Sequence, residues 1–144
     1  MELSEFIQPG MSKEESFCVQ DEHSATHIGS GGVRVLATPW MVAFMERISH
    51  RLLMERLPPG YTSVGAMISV RHLAPTPLGS TIRVRCEVVA VEGSRATFRI
   101  QAWDEHEQVG EAEHLRVAVD EARFLKRVME KIQLIQSSTE DKVS

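Results

Sequence analysis

One run of the chain has no polar side chain, Pro39-Trp40-Met41-Val42-Ala43-Phe44-Met45, and after it Arg47, Ser49, Arg51 and Glu55 break the apolar pattern. Thr38 suits a helix cap, Pro39 the first helical position, and Pro58-Pro59-Gly60 a stop, which predicts a helix from Thr38 to about Leu57. A front half that is apolar on every side predicts burial on every side. Further on, the period drops to two. Val64, Ala66, Ile68 and Val70 share one face of a strand running to Leu73, with Met67, Ser69 and Arg71 on the other. Thr81 to Val91 turn Ile82, Val84, Cys86, Val88 and Ala90 inward, and Arg95 to Trp103 do the same with Ala96, Phe98, Ile100 and Ala102. Pro75-Thr76-Pro77-Leu78-Gly79 reads as a turn or bulge. Val109 to Val119 make another strand, and Glu121 to Leu134 a helix with Phe124, Leu125, Val128 and Ile132 as its packing stripe. Upstream, Phe17-Cys18-Val19 read as a short strand. Ser24 to Val33, with Gly29-Ser30-Gly31-Gly32, read as loop, either a mobile cover over a site or a plain connection.

Parity restricts the hairpin between the third and fourth of these segments. Pairing Val91 with Arg95 around Glu92-Gly93-Ser94 sets Cys86 opposite Ile100 and Glu87 opposite Arg99. A slip of one residue would set Glu87 against Ile100, so a three-residue loop is expected. One long apolar helix, a meander of about four strands and a terminal helix predict an α+β fold, a curved antiparallel sheet around one helix. The expected organisation is a single domain over residues 1–135 and a polar, disordered tail over 136–144.

Composition narrows the function classes. The 144 residues suit one domain, and sixteen Lys and Arg against twenty Asp and Glu give a net charge of −4. That balance argues against nucleic acid or an anionic membrane as a partner. Cys18 and Cys86 are too few for a disulfide framework and fit a reducing compartment. The acidic start Met1-Glu2-Leu3-Ser4-Glu5 does not resemble a signal peptide, and no segment approaches the roughly 18 apolar residues of a membrane span. The expected location is cytoplasmic.

Few residues stand out as chemistry. Glu46 is the first charge after the apolar run; a carboxylate beside that surface is a candidate general base, or else pairs with Arg47 or His50. His72 continues the face of Ile68 and Val70, as a site residue or as a core histidine bonded to a carbonyl. Thr38 either caps the helix or meets a ligand there. It lies eight residues before Glu46, roughly 12 Å along the axis. His114 and Arg116 share a face with Gly110, Ala112 and Ala118, which suggests close approach of a ligand or backbone, or else a dimer-facing or solvent face. Arg83, Arg85, Arg95 and Arg99 form an outward patch, either solvated or phosphate-binding. There is no phosphate loop, His-Glu-x-x-His, CxxC or Gly-x-Ser-x-Gly elbow, and no metal spacing beyond the weak pair Glu46/His50.

In order, the chain carries Ala37-Thr38-Pro39-Trp40-Met41-Val42, Met45-Glu46, Ser63-Val64-Gly65, His72-x-Ala74-x-Thr76-Pro77-x-Gly79, Val91-Glu92-Gly93 and Gly110-x-Ala112-x-His114-x-Arg116. From about Val35 to Val128 it resembles the hotdog-fold thioesterases of the fluoroacetyl-CoA thioesterase type. The resemblance implies a hotdog fold, a homodimer (or a dimer of dimers) with acyl-CoA sites between subunits, and no metal or redox cofactor. It implies a catalytic set of Thr38, Glu46 and His72, with the Gly65 N–H on the thioester carbonyl. Arg116, with His114 beside it, or the hairpin arginines would hold the substrate's CoA phosphates. The fluoroacetyl-specific member has phenylalanines in the cover before its threonine. This chain has glycines there, which implies another short or medium acyl group. A non-catalytic acyl-CoA-binding module and an enoyl-CoA hydratase are the alternatives.

Overall fold

The structure is a computed structural model that describes residues 1–143, with side chains through Thr139. Five antiparallel strands form one sheet: β1 (Ser12–Cys18), β2 (Tyr61–His72), β3 (Thr81–Glu92), β4 (Arg95–Trp103) and β5 (Gln108–Asp120). Their spatial order is β1-β3-β4-β5-β2, so β1 and β2 are the edges. A single turn of helix, α1 (Ala25–Ile28), precedes the long α2 (Thr38–Met54), and α3 (Glu121–Val143) follows the last strand. The sheet curls over α2, with Met41, Phe44, Met45, Ile48, Leu52 and Leu53 packed on Ile82, Val84, Cys86, Phe98, Ile100 and Ala102. This is the expected α+β arrangement. Short turns at Leu3–Glu5 and Asp21–His23 complete it, and Leu3 and Ile7, unremarked in the sequence, are fully buried.

Several local expectations change. Within 24–33 the chain forms α1, ended by Gly29 in the left-handed region (φ 74°), where only glycine is unstrained. Helix α2 stops at Met54. It is also not buried all round: Thr38 and Pro39 are exposed, and Val42 and Ala43 half-buried. One sheet covers one side of a helix, and among the described residues the flank of Thr38 and Pro39 is left exposed.

The hairpin keeps Cys86 opposite Ile100 and Glu87 opposite Arg99, yet Glu92 pairs with Arg95, leaving a two-residue loop of Gly93 and Ser94. The odd residue sits instead in a bulge between Val88 and Ala90. Past it the faces swap, so Ala90 is exposed and Val91 packs on the core. A second bulge, between Gly65 and Met67, splits β2 in the same way. Ser63 opposes buried Ala118, Gly65 opposes buried Arg116, and Ile68, Val70 and His72 oppose His114, Ala112 and Gly110. The helix-facing set is thus Ser63, Gly65, Ile68, Val70 and His72, without Val64 and Ala66.

Helix α3 continues through the segment expected as a disordered tail, to Val143; Ser144 lies outside the described residues. Its polar end has a helical hydroxyl-to-backbone bond, Thr139 Oγ1 donating to the Ile135 carbonyl at 3.0 Å. The expected packing stripe is mostly uncovered, with Leu125, Val128 and Ile132 exposed and only Phe124 half-buried. The helix's main contact is with β5, from which it departs.

Gly110 marks where α2 and the sheet come closest. A Cβ there would lie 2.6 Å from Met41 Sδ and 2.8 Å from its Cε. Gly110→Ala is therefore expected to destabilise the fold by about 1–3 kcal/mol, read as a lower urea midpoint at unchanged slope. An unchanged midpoint would show that Met41 swings aside freely.

Candidate active site

The backbone fixes the start of α2 on three sides. Ala37 N–H donates to the His23 carbonyl, Leu36 N–H to Thr76, and Ala25 N–H to Val35. The His23 ring packs on Trp40 with centroids 4.5 Å apart, and edge-on to Phe44 at 5.1 Å. Ala37, not Thr38, is the N-cap, in extended conformation (φ −74°, ψ 141°). Thr38 is thereby the first helical residue, and its hydroxyl is released from capping. It lies 2.7 Å from His72 Nδ1 at the end of β2. Burial lowers the His72 pKa from its ordinary value, offset in part by the Ala74 backbone. His72 Nε2 is buried with no hydrogen-bond partner among the described residues. A cavity of about 410 Å³ opens here, lined by small side chains including Ala25, Ser30, Ala37 and Ala74.

Two turns along α2, Glu46 makes a second centre. Its side chain is 45% exposed, so it stands at the margin of the core instead of inside it. Its partner is neither Arg47 nor His50 but Arg116 on β5, with Nη1 3.7 Å from Oε2. Gly65 lies beneath: a Cβ there would be 3.1 Å from Glu46 Oε2 and 3.4 Å from both Arg116 Nη1 and His114 Cε1. A side chain at this point of β2 would crowd the Glu46 carboxylate, which would have to shift by a few tenths of an ångström.

Arg116 is buried, and its contacts assign the surrounding protons. Nε donates to Ser63 Oγ (2.9 Å), Nη2 to the Ser63 carbonyl (3.2 Å) and Nη1 to His114 Nε2 (3.2 Å). Since arginine only donates, His114 Nε2 accepts and Nδ1 carries the proton. That proton goes to the Met67 carbonyl, 2.8 Å away, at the bulge. Burial, and then the Arg116 charge, hold His114 below its ordinary pKa despite opposing help from Met67 and Glu46. His114 and Arg116 thus face α2, not solvent.

The structure therefore brings Thr38 to His72, and Glu46 to Gly65, His114 and Arg116. It does not bring the two groups together within one chain. Ser63 and His50, not expected beside Arg116, belong to the second group: His50 Nδ1 is 2.7 Å from Ser63 Oγ. A serine among aliphatic residues of β2 was the available signal, hidden because the bulge moves it to the helix side. Of the outward arginines, Arg83 meets Glu14 at 2.8 Å and Arg99 meets Glu87 at 3.4 Å. A larger hollow of about 550 Å³ lies over the sheet around Arg71, Arg99, Glu111 and Glu113, away from both centres. Among the described residues no group of His, Cys, Asp or Glu is placed to hold a metal ion.

A curled antiparallel sheet over one helix, with a carboxylate and a Thr–His pair on the helix flank, defines a hotdog α+β protein. The family model of FlK, the fluoroacetyl-CoA-specific thioesterase, matches residues 19–122. A fluoroacetyl-CoA thioesterase of Streptantibioticus cattleyicolor is 37% identical over 97 residues, 67% of this chain and 70% of that protein. A solved structure of the fluoroacetyl-CoA thioesterase FlK superposes with a TM-score of 0.82 at 30% identity, covering 87% of this chain and 97% of its own. A hot-dog-like protein from Thermanaerovibrio acidaminovorans gives 0.84 at 27% identity, covering 91% and 97%. The chain belongs to the fluoroacetyl-CoA-specific thioesterase family, a family of thioester hydrolases. Nearly all of α3 lies beyond the matched segment.

Proposed function

We propose that this protein hydrolyses an acyl-CoA thioester to a carboxylate and free CoA, at sites shared between two copies of the chain. The observation that carries this reading is the uncovered side of α2. Thr38, Val42 and Glu46 follow one another along it at one-turn intervals, each exposed or half-buried. Beside it runs β2, a twelve-residue edge strand with one side unpaired. A second copy pairing along β2 would cover the apolar flank of Pro39, Val42 and Ala43. It would also bring Glu46 of one copy toward Thr38 and His72 of the other, joining what one chain holds apart.

Glu46 would act on the thioester carbonyl carbon, as nucleophile or by taking a proton from the attacking water. Arg116 fixes one carboxylate oxygen over Gly65, leaving the other for this task. The Gly65 N–H would support the developing oxyanion. The carbon–sulfur bond then breaks, and the proton taken from the water passes by way of His72, aligned by Thr38, to the thiolate; on the nucleophile route that water is the one that next cleaves the acyl–Glu46 anhydride. Arg116 serves Glu46 here in place of a CoA phosphate, since its donors are committed inside the fold. Ala25 and Ser30 line the cavity at His72, and the glycines of 24–33 in place of phenylalanines favour a short or medium acyl group other than fluoroacetyl. No helix among the described residues is long and apolar enough to cross a membrane. Free Cys18 and Cys86 fit a reducing cytoplasm.

Free-thiol release from acetyl- through decanoyl-CoA and aromatic acyl-CoAs tests the reaction. His72→Gln is expected to lower kcat about 100-fold on the best substrate. Tight acyl-CoA binding with no thiol released from any of them would overturn the hydrolase reading in favour of a binding module.

A further inference from the structure

The contacts around Ser63 extend beyond Arg116 to a histidine that the proposed reaction does not use. Ser63 is buried and its Oγ has two polar neighbours, Arg116 Nε at 2.9 Å and His50 Nδ1 at 2.7 Å. The first is a donor without alternative. A buried hydroxyl proton without an acceptor is costly, so the serine gives its proton to His50 Nδ1. His50 must then be neutral, with its own proton on Nε2. The order of donation is Arg116 to Ser63 to His50, and on the other side Arg116 to His114 to the Met67 carbonyl.

We propose that His50, acting through Ser63, is a positioning residue that orients the Arg116 guanidinium against Glu46, and that it does so only as the neutral imidazole. The inference rests on the thioesterase reading for its catalytic consequence, but the tautomer follows from the geometry alone.

The charges around His50 make protonation disruptive. Arg116 faces it from β5, Arg51 and Arg47 lie near it on α2 itself, and β2 contributes the neutral Ser63. The carboxylate at hand, Glu46, is paired to Arg116, and Arg51 is paired to Glu15. Burial, then Arg116, then Arg51 hold the imidazole below its ordinary pKa. An imidazolium would turn Nδ1 into a donor, displace the serine proton and set a second cation beside Arg116. The guanidinium would then shift, and Glu46 with it. Protonation of His50 would therefore lower activity on the acid side of the pH profile.

The test compares the wild type with His50→Gln, which keeps an acceptor and cannot ionise, and with His50→Leu, which has no acceptor. His50→Leu is expected to lose about tenfold in kcat at neutral pH with KM little changed. His50→Gln should recover most of that loss and retain more of its neutral-pH activity at pH 5.5 than the wild type does. Imidazole nitrogen NMR on the wild type should show the Nε2–H tautomer for His50, and Ser63→Ala should abolish the shift that marks an accepting Nδ1. Superimposable pH profiles of wild type and His50→Gln, or an Nδ1–H tautomer, would overturn the proposal. If no thiol is released by the wild type, the thioesterase reading fails, while the NMR result still decides whether His50 accepts from Ser63. Should His50→Leu not fold, the glutamine profile and the tautomer decide it.

Discussion

Glu46→Gln is expected to abolish most thioester hydrolysis while leaving the fold intact. Removing a group that acts on the reacting carbon or its water costs about 10²–10⁴ in rate, roughly 3–5 kcal/mol of barrier. The amide is nearly isosteric and can turn its oxygen toward Arg116 Nη1, so packing over Gly65 is retained. Glu46 is also 45% exposed, and at that exposure the charge pair with Arg116 adds little to stability. The expected result is therefore kcat lower by a hundredfold or more, with the thermal midpoint within a few degrees of wild type. A variant that turns over within threefold of wild type would remove Glu46 from the chemistry.

Arg116→Met should do the reverse, with a large effect on stability and a secondary one on turnover. The guanidinium satisfies Ser63 Oγ, the Ser63 carbonyl and His114 Nε2 on a buried face. Taking it away orphans three acceptors at once, and the expected loss is about 3–5 kcal/mol by denaturant unfolding. Most of that comes from the hydrogen bonds, because Glu46 on the far side remains partly solvated. Arg116→Lys should recover only a fraction, since an ammonium cannot span the serine and the histidine from one position. A methionine variant as stable as wild type would show that water can replace the fork.

The difference between these variants reflects how the site is built. Glu46 comes from the helix and its side chain is half-exposed. Arg116, His114, Ser63 and Gly65 come from two sheet strands and hold it. The Thr38–His72 pair stands at the other end of the same helix flank, where under the proposed function it would act with a carboxylate of a second copy. Under the proposed function, a second copy added to the β2 edge would join the two.

Particular residues show how much of this could be read in advance. The alternation of Ile82, Val84, Cys86 and Val88 against Ala96, Phe98, Ile100 and Ala102 determined the central pairing. The apolar run from Pro39 to Met45 determined which helix the sheet covers. Burial imposes period and polarity on the sequence directly, so these survive without tertiary information. Bulges leave no such trace. At Val89 and Ala66 one residue drops out of register, and everything beyond swaps face. The sequence could therefore identify Glu46, His72 and Arg116 as unusual while misassigning Val64, Ala66 and Ala90 and giving Ser63 no part beside Arg116. Thr38 reads as a cap or as a ligand contact from sequence alone; the backbone places Ala37 at the cap and leaves the Thr38 hydroxyl to His72. Local pattern determined the elements, the core and the reactive residue types. The tertiary structure decided which polar groups meet, because hydrogen bonds at 2.7–3.2 Å depend on bulges, strand order and helix placement that no single segment encodes.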